Sequence, residues 1–413
     1  MIYKEIKACR ICGNSNLVEV LNLGVQKLTG VFPKKGEVVE EGPLVLVKCN
    51  DSENSEACGL LQLKHNYDLE LMYGDNYGYR SGLNNSMVKH LESIVRGIES
   101  KIQLNSGDLV IDIASNDGTL LKAYKNKDLR LVGIDPTSAK FKNYYPDYIQ
   151  TVPKFFSKEA LRDITDKKAK VVTSIAMFYD LENPMDFMKD VYDVLDNDGI
   201  WVLEQSYMPG MIKALAYDTV CHEHLEYYAL KQIKWMADKV GFEAIDFELN
   251  DTNGASFYLV LAKKESKLSQ SPEIVKYLEK EKEEGYSEFK VFDDFDKKVK
   301  EHRQELINFL NDLKSKGKKV FGYGASTKGN VILQYCDLGK FIPCIAEVNE
   351  YKFGRVTPGT EIPIISEEKA LTQKPDYFFV LPWHFKNNIL EREKAYLSSG
   401  GHFIFPLPKI EIV

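Results

Sequence analysis

The 413-residue sequence predicts an α/β protein in three parts, with residues 1–75 as a front module, 76–265 as a central domain and 266–413 as a helical bridge leading into a smaller α/β domain. Three observations carry this. Four of the seven cysteines fall within the first 58 residues. Strand–turn–helix alternation begins at Leu109, and a second alternating run begins at Lys319. Alternation of that kind implies mainly parallel, doubly wound sheets.

In the front module, Cys9-Arg-Ile-Cys12-Gly13 has a knuckle spacing in which two thiolates share one metal ion. Cys49 and Cys58 form a second pair, with eight residues between them. Cys9, Cys12, Cys49 and Cys58 are therefore the expected ligands of a structural zinc, and a four-thiolate site leaves no open position for catalysis. Cys221, Cys336 and Cys344 read as ordinary buried thiols.

The central domain opens with an amphipathic helix over about 84–101, apolar at Met87, Leu91, Ile94, Val95 and Ile98. Strands are expected at 109–113, 131–134, 171–176 and 200–203, followed by an antiparallel pair near 244–247 and 256–262. The charged stretch 266–316, interrupted at Gly285, reads as helices with a solvated face. Further strands are expected within 319–324, 341–348, 377–381 and 403–406.

Net charge is −7, and the basic residues are scattered among Asp and Glu. No basic stripe marks a nucleic-acid binder. Apolar runs fall far short of the roughly 18 residues of a membrane span. Met1–Glu5 lacks a signal-peptide pattern. The expectations are a cytoplasmic protein, with no nucleic-acid or membrane partner, acting as a monomer.

The first chemically informative motif is Asp112-Ile-Ala114-Ser-Asn116-Asp117-Gly118 at the end of the first central strand. Small residues at such a strand end let the backbone approach a ligand. Asp135-Pro136 ends the next strand, where an acid can take both ribose hydroxyls. With no basic group for a pyrophosphate, the pair suits adenosylmethionine better than a dinucleotide. Ala114 stands where a glycine is usual.

Cys221-His222-Glu223-His224 supplies candidate general bases with a carboxylate to orient them. If extended, it puts His222 and His224 on one face and Glu223 on the other. Chelation by His-x-His and a purely structural role are the alternatives. Tyr77-Gly-Tyr79-Arg80-Ser81-Gly82 is a connector whose hydroxyls could line a cleft. Gly322-Tyr323-Gly324, with Glu347 further on, imitates a dinucleotide fingerprint and taken alone would suggest an NAD oxidoreductase. Ser326 and Lys328 in the same turn suit phosphate binding generally.

The Asp112–Gly118 turn and Asp135 resemble motifs I and II of class I methyltransferases. In their order, the cysteine module, the tyrosine connector, Ile-Ala-Ser-Asn-Asp-Gly, Glu-His-Leu-Glu-Tyr-Tyr and Gly-Tyr-Gly-Ala-Ser-Thr-Lys-Gly resemble the sugar C-methyltransferases acting on nucleotide-linked 4-keto-6-deoxy sugars. The resemblance implies a central class I (Rossmann-like) S-adenosylmethionine methyltransferase domain and a C-terminal Rossmann-like domain that helps hold a TDP- or GDP-sugar. Asp112, Ala114, Asn116, Asp117, Gly118, Asp135 and Pro136 would line the cofactor site. His224 would be the general base with Glu223 beside it. Tyr79 and Ser81 would face the sugar, and Tyr323, Ser326 and Lys328 would hold the nucleotide. Cys221 falls in the catalytic group, where some members carry a tyrosine implicated in proton transfer. Met177-Phe-Tyr179 stands where members place a histidine after the fourth strand. The implied reaction is methylation of C-3 beside the ketone; O-methylation of a sugar hydroxyl is the nearest alternative.

Overall fold

The computed structural model describes residues 2–52, 54–68 and 79–413. Tyr77 and the connector before Tyr79 lie outside the described residues.

The central sheet has seven strands, in the order Phe242–Asn250, Ser256–Lys263, Leu195–Ser206, Ala169–Ile175, Leu109–Ile113, Arg130–Ile134 and Ile149–Val152. Only Ser256–Lys263 runs against its neighbours; the other adjacent pairs are parallel. Helices cover both faces, so the inner strands are mostly apolar and buried, as Leu109-Val-Ile-Asp-Ile illustrates, with Asp112 its one charged residue. Trp201 is fully buried against Phe178, Phe187 and Phe242. The chain enters mid-sheet at Leu109–Ile113, winds to one edge, then crosses back to Ala169–Ile175. That reversal opens a crevice at the carboxyl ends of these two strands.

The helix Asn85–Lys101 is capped by Asn84, whose side chain accepts from the Ser86 N–H. It buries Leu91, Ile94, Val95 and Ile98, the apolar stripe read from spacing. The charged stretch forms two helices, Pro272–Glu283 and Phe289–Ser315. Gly285 lies between them at φ +75°, a conformation that favours glycine. The C-terminal sheet runs Ile364–Ser366, Ile345–Glu347, Val320–Tyr323, Tyr377–Val380, His402–Phe405 and Glu411–Ile412, parallel except for the last strand. Among the described residues no helix is long and apolar enough to cross a membrane.

The front module contributes Leu17–Lys27, Glu41–Cys49 and Leu61–Leu63 to an antiparallel sheet. Its fourth strand is Glu226–Tyr227, from the central part of the chain. The sequence reading missed this pairing because two residues carry no periodicity. It also missed Ile149–Val152, where only the two end residues are buried, and Ile364–Ser366.

Candidate active site and zinc site

The four front cysteines converge: their sulfurs all lie within 4.8 Å of one another. Cys9 and Cys58 are 3.5 Å apart, as are Cys12 and Cys49. Zinc–sulfur bonds of about 2.3 Å in a tetrahedron set sulfurs roughly 3.8 Å apart, so the thiols fit zinc. The wide Cys49–Cys58 spacing is accommodated by a loop that Asp51 braces, bonding Lys48 at 2.5 Å and Lys231 at 2.7 Å. Arg10, inside the knuckle, is buried; it donates to the Leu63 carbonyl at 2.7 Å and the Leu225 carbonyl at 3.4 Å, and lies 3.6 Å from Glu226. The knuckle is thereby tied to the chain one residue beyond His224.

A cavity of about 480 Å³ opens at the carboxyl ends of the central strands, a size that suits a cofactor-sized ligand. Asp112, Ala114, Asn116, Asp135 and Pro136 line it, with Met87, Leu91, Phe155, Phe156 and Met177 as apolar wall. Ala114, Asn116 and Ala176 hold positive φ of 57°, 52° and 53° at the two strand ends. Non-glycine residues in that region cost about 1–2 kcal/mol each, and such strain gathers at functional sites. Asp135 accepts from the Asn116 N–H at 2.8 Å and from Thr137 N–H and hydroxyl, both at 2.6 Å. Asp112 accepts from the Thr173 hydroxyl at 2.6 Å. Burial pushes the Asp112 carboxyl up to about 7, with the charge of Asp135 adding to the rise.

Two of the expected cofactor residues do not line this cavity. Asp117 accepts from the Gly82 N–H at 3.0 Å and from Thr119, and Gly118 begins the following short helix at φ +73°. Asn116 also clamps the connector, accepting from the Ser81 N–H at 3.0 Å and donating to the Tyr79 carbonyl at 3.1 Å. Tyr79 and Ser81 reach the cavity wall as a result. Sequence reasoning missed Glu204 there: this carboxylate is bonded by His90 at 2.7 Å and Asn250 at 2.8 Å. Its signal was a lone acid at the end of an apolar strand.

Glu223 and His224 line the same cavity, but His222 does not. The segment is a turn, closed by the His224 N–H to the Cys221 carbonyl at 3.2 Å, and this overturns the extended reading. His222 faces the front module. Its Nδ1 accepts from the Thr29 N–H at 3.3 Å, so Nε2–H donates to the Gly42 carbonyl at 3.3 Å. His224 donates Nδ1–H to the Thr219 carbonyl at 2.8 Å, which leaves its Nε2 lone pair available. Burial, and then the charge of Lys328, lowers His224 to about 3, so the ring is neutral at ordinary pH. The Tyr179 ring packs edge-on against it at 4.5 Å. Glu223 is raised by burial. It fits against Gly30 of the front module, where a Cβ would fall 1.9 Å from its Oε1. Cys221 is fully buried and outside the cavity lining.

The C-terminal part reaches the cavity through Thr327 and Lys328. Ser326 instead caps the helix Thr327–Tyr335, its hydroxyl accepting from the Gly329 N–H at 3.0 Å. Tyr323 is buried among Phe378 and Phe403, its hydroxyl on Glu393 at 2.9 Å, and does not reach the cavity. The dinucleotide-like turn is filled. Glu347 accepts from the N–H groups of Ala325, Val348 and Asn349, and a Cβ on Gly324 would meet Pro382 at 2.8 Å.

Sheet order, the switch-point cavity and its acid-rich lining define a methyltransferase domain. Family descriptions match the chain in three consecutive blocks: a candidate zinc binding domain over residues 9–73, a methyltransferase domain over 89–246 and a C-methyltransferase C-terminal domain over 251–408. The three blocks, with the four converging thiols, support a C-methyltransferase with S-adenosylmethionine and structural zinc as its cofactors. The C-methyltransferase NovU of Streptomyces niveus is 28% identical over 420 residues, covering 100% of this chain and 98% of that protein. Solved structures align in part. The LepI complex with SAM is 14% identical, covering 48% of this chain and 51% of that one, at a TM-score of 0.35. The plantazolicin methyltransferase BpumL with SAH is 10% identical, covering 42% and 82%, at 0.34.

Proposed function

We propose that this protein methylates C-3 of a nucleotide-linked 4-keto-6-deoxy sugar, with His224 as general base. The observation carrying this is a neutral histidine, its Nδ1–H fixed by the Thr219 carbonyl, in one cavity with Asp112 and Asp135. Bound S-adenosylmethionine supplies an electrophilic methyl group on a sulfonium.

Asp135 and Asp112, with the strained strand ends at Ala114 and Ala176, would hold the cofactor. The acidic lining suits a cationic cofactor, and the filled turn at Gly324, with Glu347 taken up by Ala325, favours this reading over NAD use. A ketone at C-4 acidifies the C-3 proton, and His224 Nε2 takes it. Holding donor and acceptor in one cavity supplies much of the remaining rate. Tyr79 and Ser81, on the cavity wall, would face the sugar, and the Tyr179 ring packs beside His224. NovU, named a C-methyltransferase, supports carbon over oxygen as the acceptor atom. A mass-spectrometric screen of TDP- and GDP-linked 4-keto-6-deoxy sugars with S-adenosylmethionine tests the substrate class. Methylation of at least one is expected; methylation only of sugars lacking the ketone would overturn it.

A further inference from the structure

The cavity wall carries the carboxylates Asp112, Asp135, Asp180, Glu182, Glu204 and Glu223. Among the described lining residues, Lys328 is the one lysine or arginine beside them. Removing a proton beside a ketone creates an enolate oxygen, and an oxyanion gains nothing from a field of carboxylates. A cation is required where that charge develops.

We infer that Lys328 is a catalytic residue, whose ammonium stabilises the enolate oxygen formed when His224 takes the C-3 proton. This deepens the keto-sugar reading and rests on it. The step balances: the C-3–H bond breaks, the proton goes to His224 Nε2, and the electron pair moves through C-3 and C-4 onto oxygen beside Lys328. The pair then returns to form the carbon–methyl bond as the methyl–sulfur bond breaks, the carbonyl is restored, and the thioether leaves neutral.

The fold holds Lys328 firmly for this task. It stands in the first turn of the helix Thr327–Tyr335, whose N-terminal N–H groups add positive potential. The Ser326 cap fixes that turn, and a Cβ on Gly329 would meet Leu381 at 2.6 Å, so the helix sits close on the sheet. The charge of Lys328 is felt by His224 and by Asp218. Asp218 is buried and accepts from the Trp383 indole at 2.8 Å, which bonds the chain just before Thr219 to the C-terminal part. Base and cation thus come from separate parts of the chain joined through buried contacts, Tyr217 with His302 and Cys336 among them. The C-terminal part would then take part in chemistry as well as in binding.

The test is exchange of the C-3 hydrogen for deuterium in heavy water, with S-adenosylhomocysteine present and the keto sugar saturating. Lys328→Met should slow exchange by about 10²-fold or more, leave S-adenosylhomocysteine affinity unchanged, and be partly rescued by Lys328→Arg. Wild-type exchange rates in Lys328→Met at saturation, with only a raised KM, would overturn the inference and make Lys328 a nucleotide holder. No exchange by the wild type would overturn the keto-sugar reading itself.

Discussion

The two strand–turn–helix units at Leu109 and Val320 look alike in sequence, yet only the first keeps its strand-end turn open to the cavity. Each places an acid at the end of the following strand, and each acid accepts from the backbone of its turn: Asp135 from Asn116, Glu347 from Ala325, both at 2.8 Å. Asp135 lines the cavity, whereas Glu347 spends its other oxygen on Val348 and Asn349. Ala114 tolerates a left-handed backbone beside open volume, while Gly324 lies under Pro382. A fingerprint therefore reports a turn. What occupies the space over that turn decides whether a ligand enters.

Substitutions can sharpen this contrast. The largest effect is expected at His224, the proposed base on the cavity wall. His224→Asn should cut turnover on the order of 10² or more with S-adenosylmethionine affinity intact; near-normal turnover would remove His224 from the mechanism. Next comes a matched pair. Asp135→Ala should weaken S-adenosylmethionine binding about 10- to 100-fold, as loss of charge-assisted hydrogen bonds does. Glu347→Ala should leave that affinity unchanged and lower the melting temperature, because three backbone N–H groups lose their acceptor. Equal losses of affinity in both would break the contrast. The smallest effect is in pH. Asp112, raised to about 7 by burial, is half neutral there and becomes charged as pH rises. A cationic ligand favours the charged form, so S-adenosylmethionine affinity should rise by up to about tenfold between pH 6 and 8. Calorimetry showing equal affinity at both would dismiss Asp112 as a partner of the cation.

Much of this was legible in the residues. The strand at Leu109–Ile113, the strand-end acids Asp112 and Asp135 and the paired thiols are marked by motif and spacing, which sequence displays directly. The orientation of the His222–His224 turn was not legible, because it is set by Thr29 and Gly42 of the front module and by Thr219. Nor was the departure of Asp117, Gly118 and Tyr323 from the cavity, since each is claimed by a partner or buried by packing distant in sequence. The Glu226–Tyr227 strand shows the limit most plainly: two residues complete the front sheet and carry the base segment with them.

The central claim is carbon methylation beside a ketone at the cavity of the central turn. It is tested most directly by carbon NMR of the product made from methyl-labelled S-adenosylmethionine and a nucleotide-linked 4-keto-6-deoxy sugar. The labelled methyl should couple to C-3, with the original C-3 hydrogen lost. A labelled methyl on oxygen, with that hydrogen retained, would contradict it.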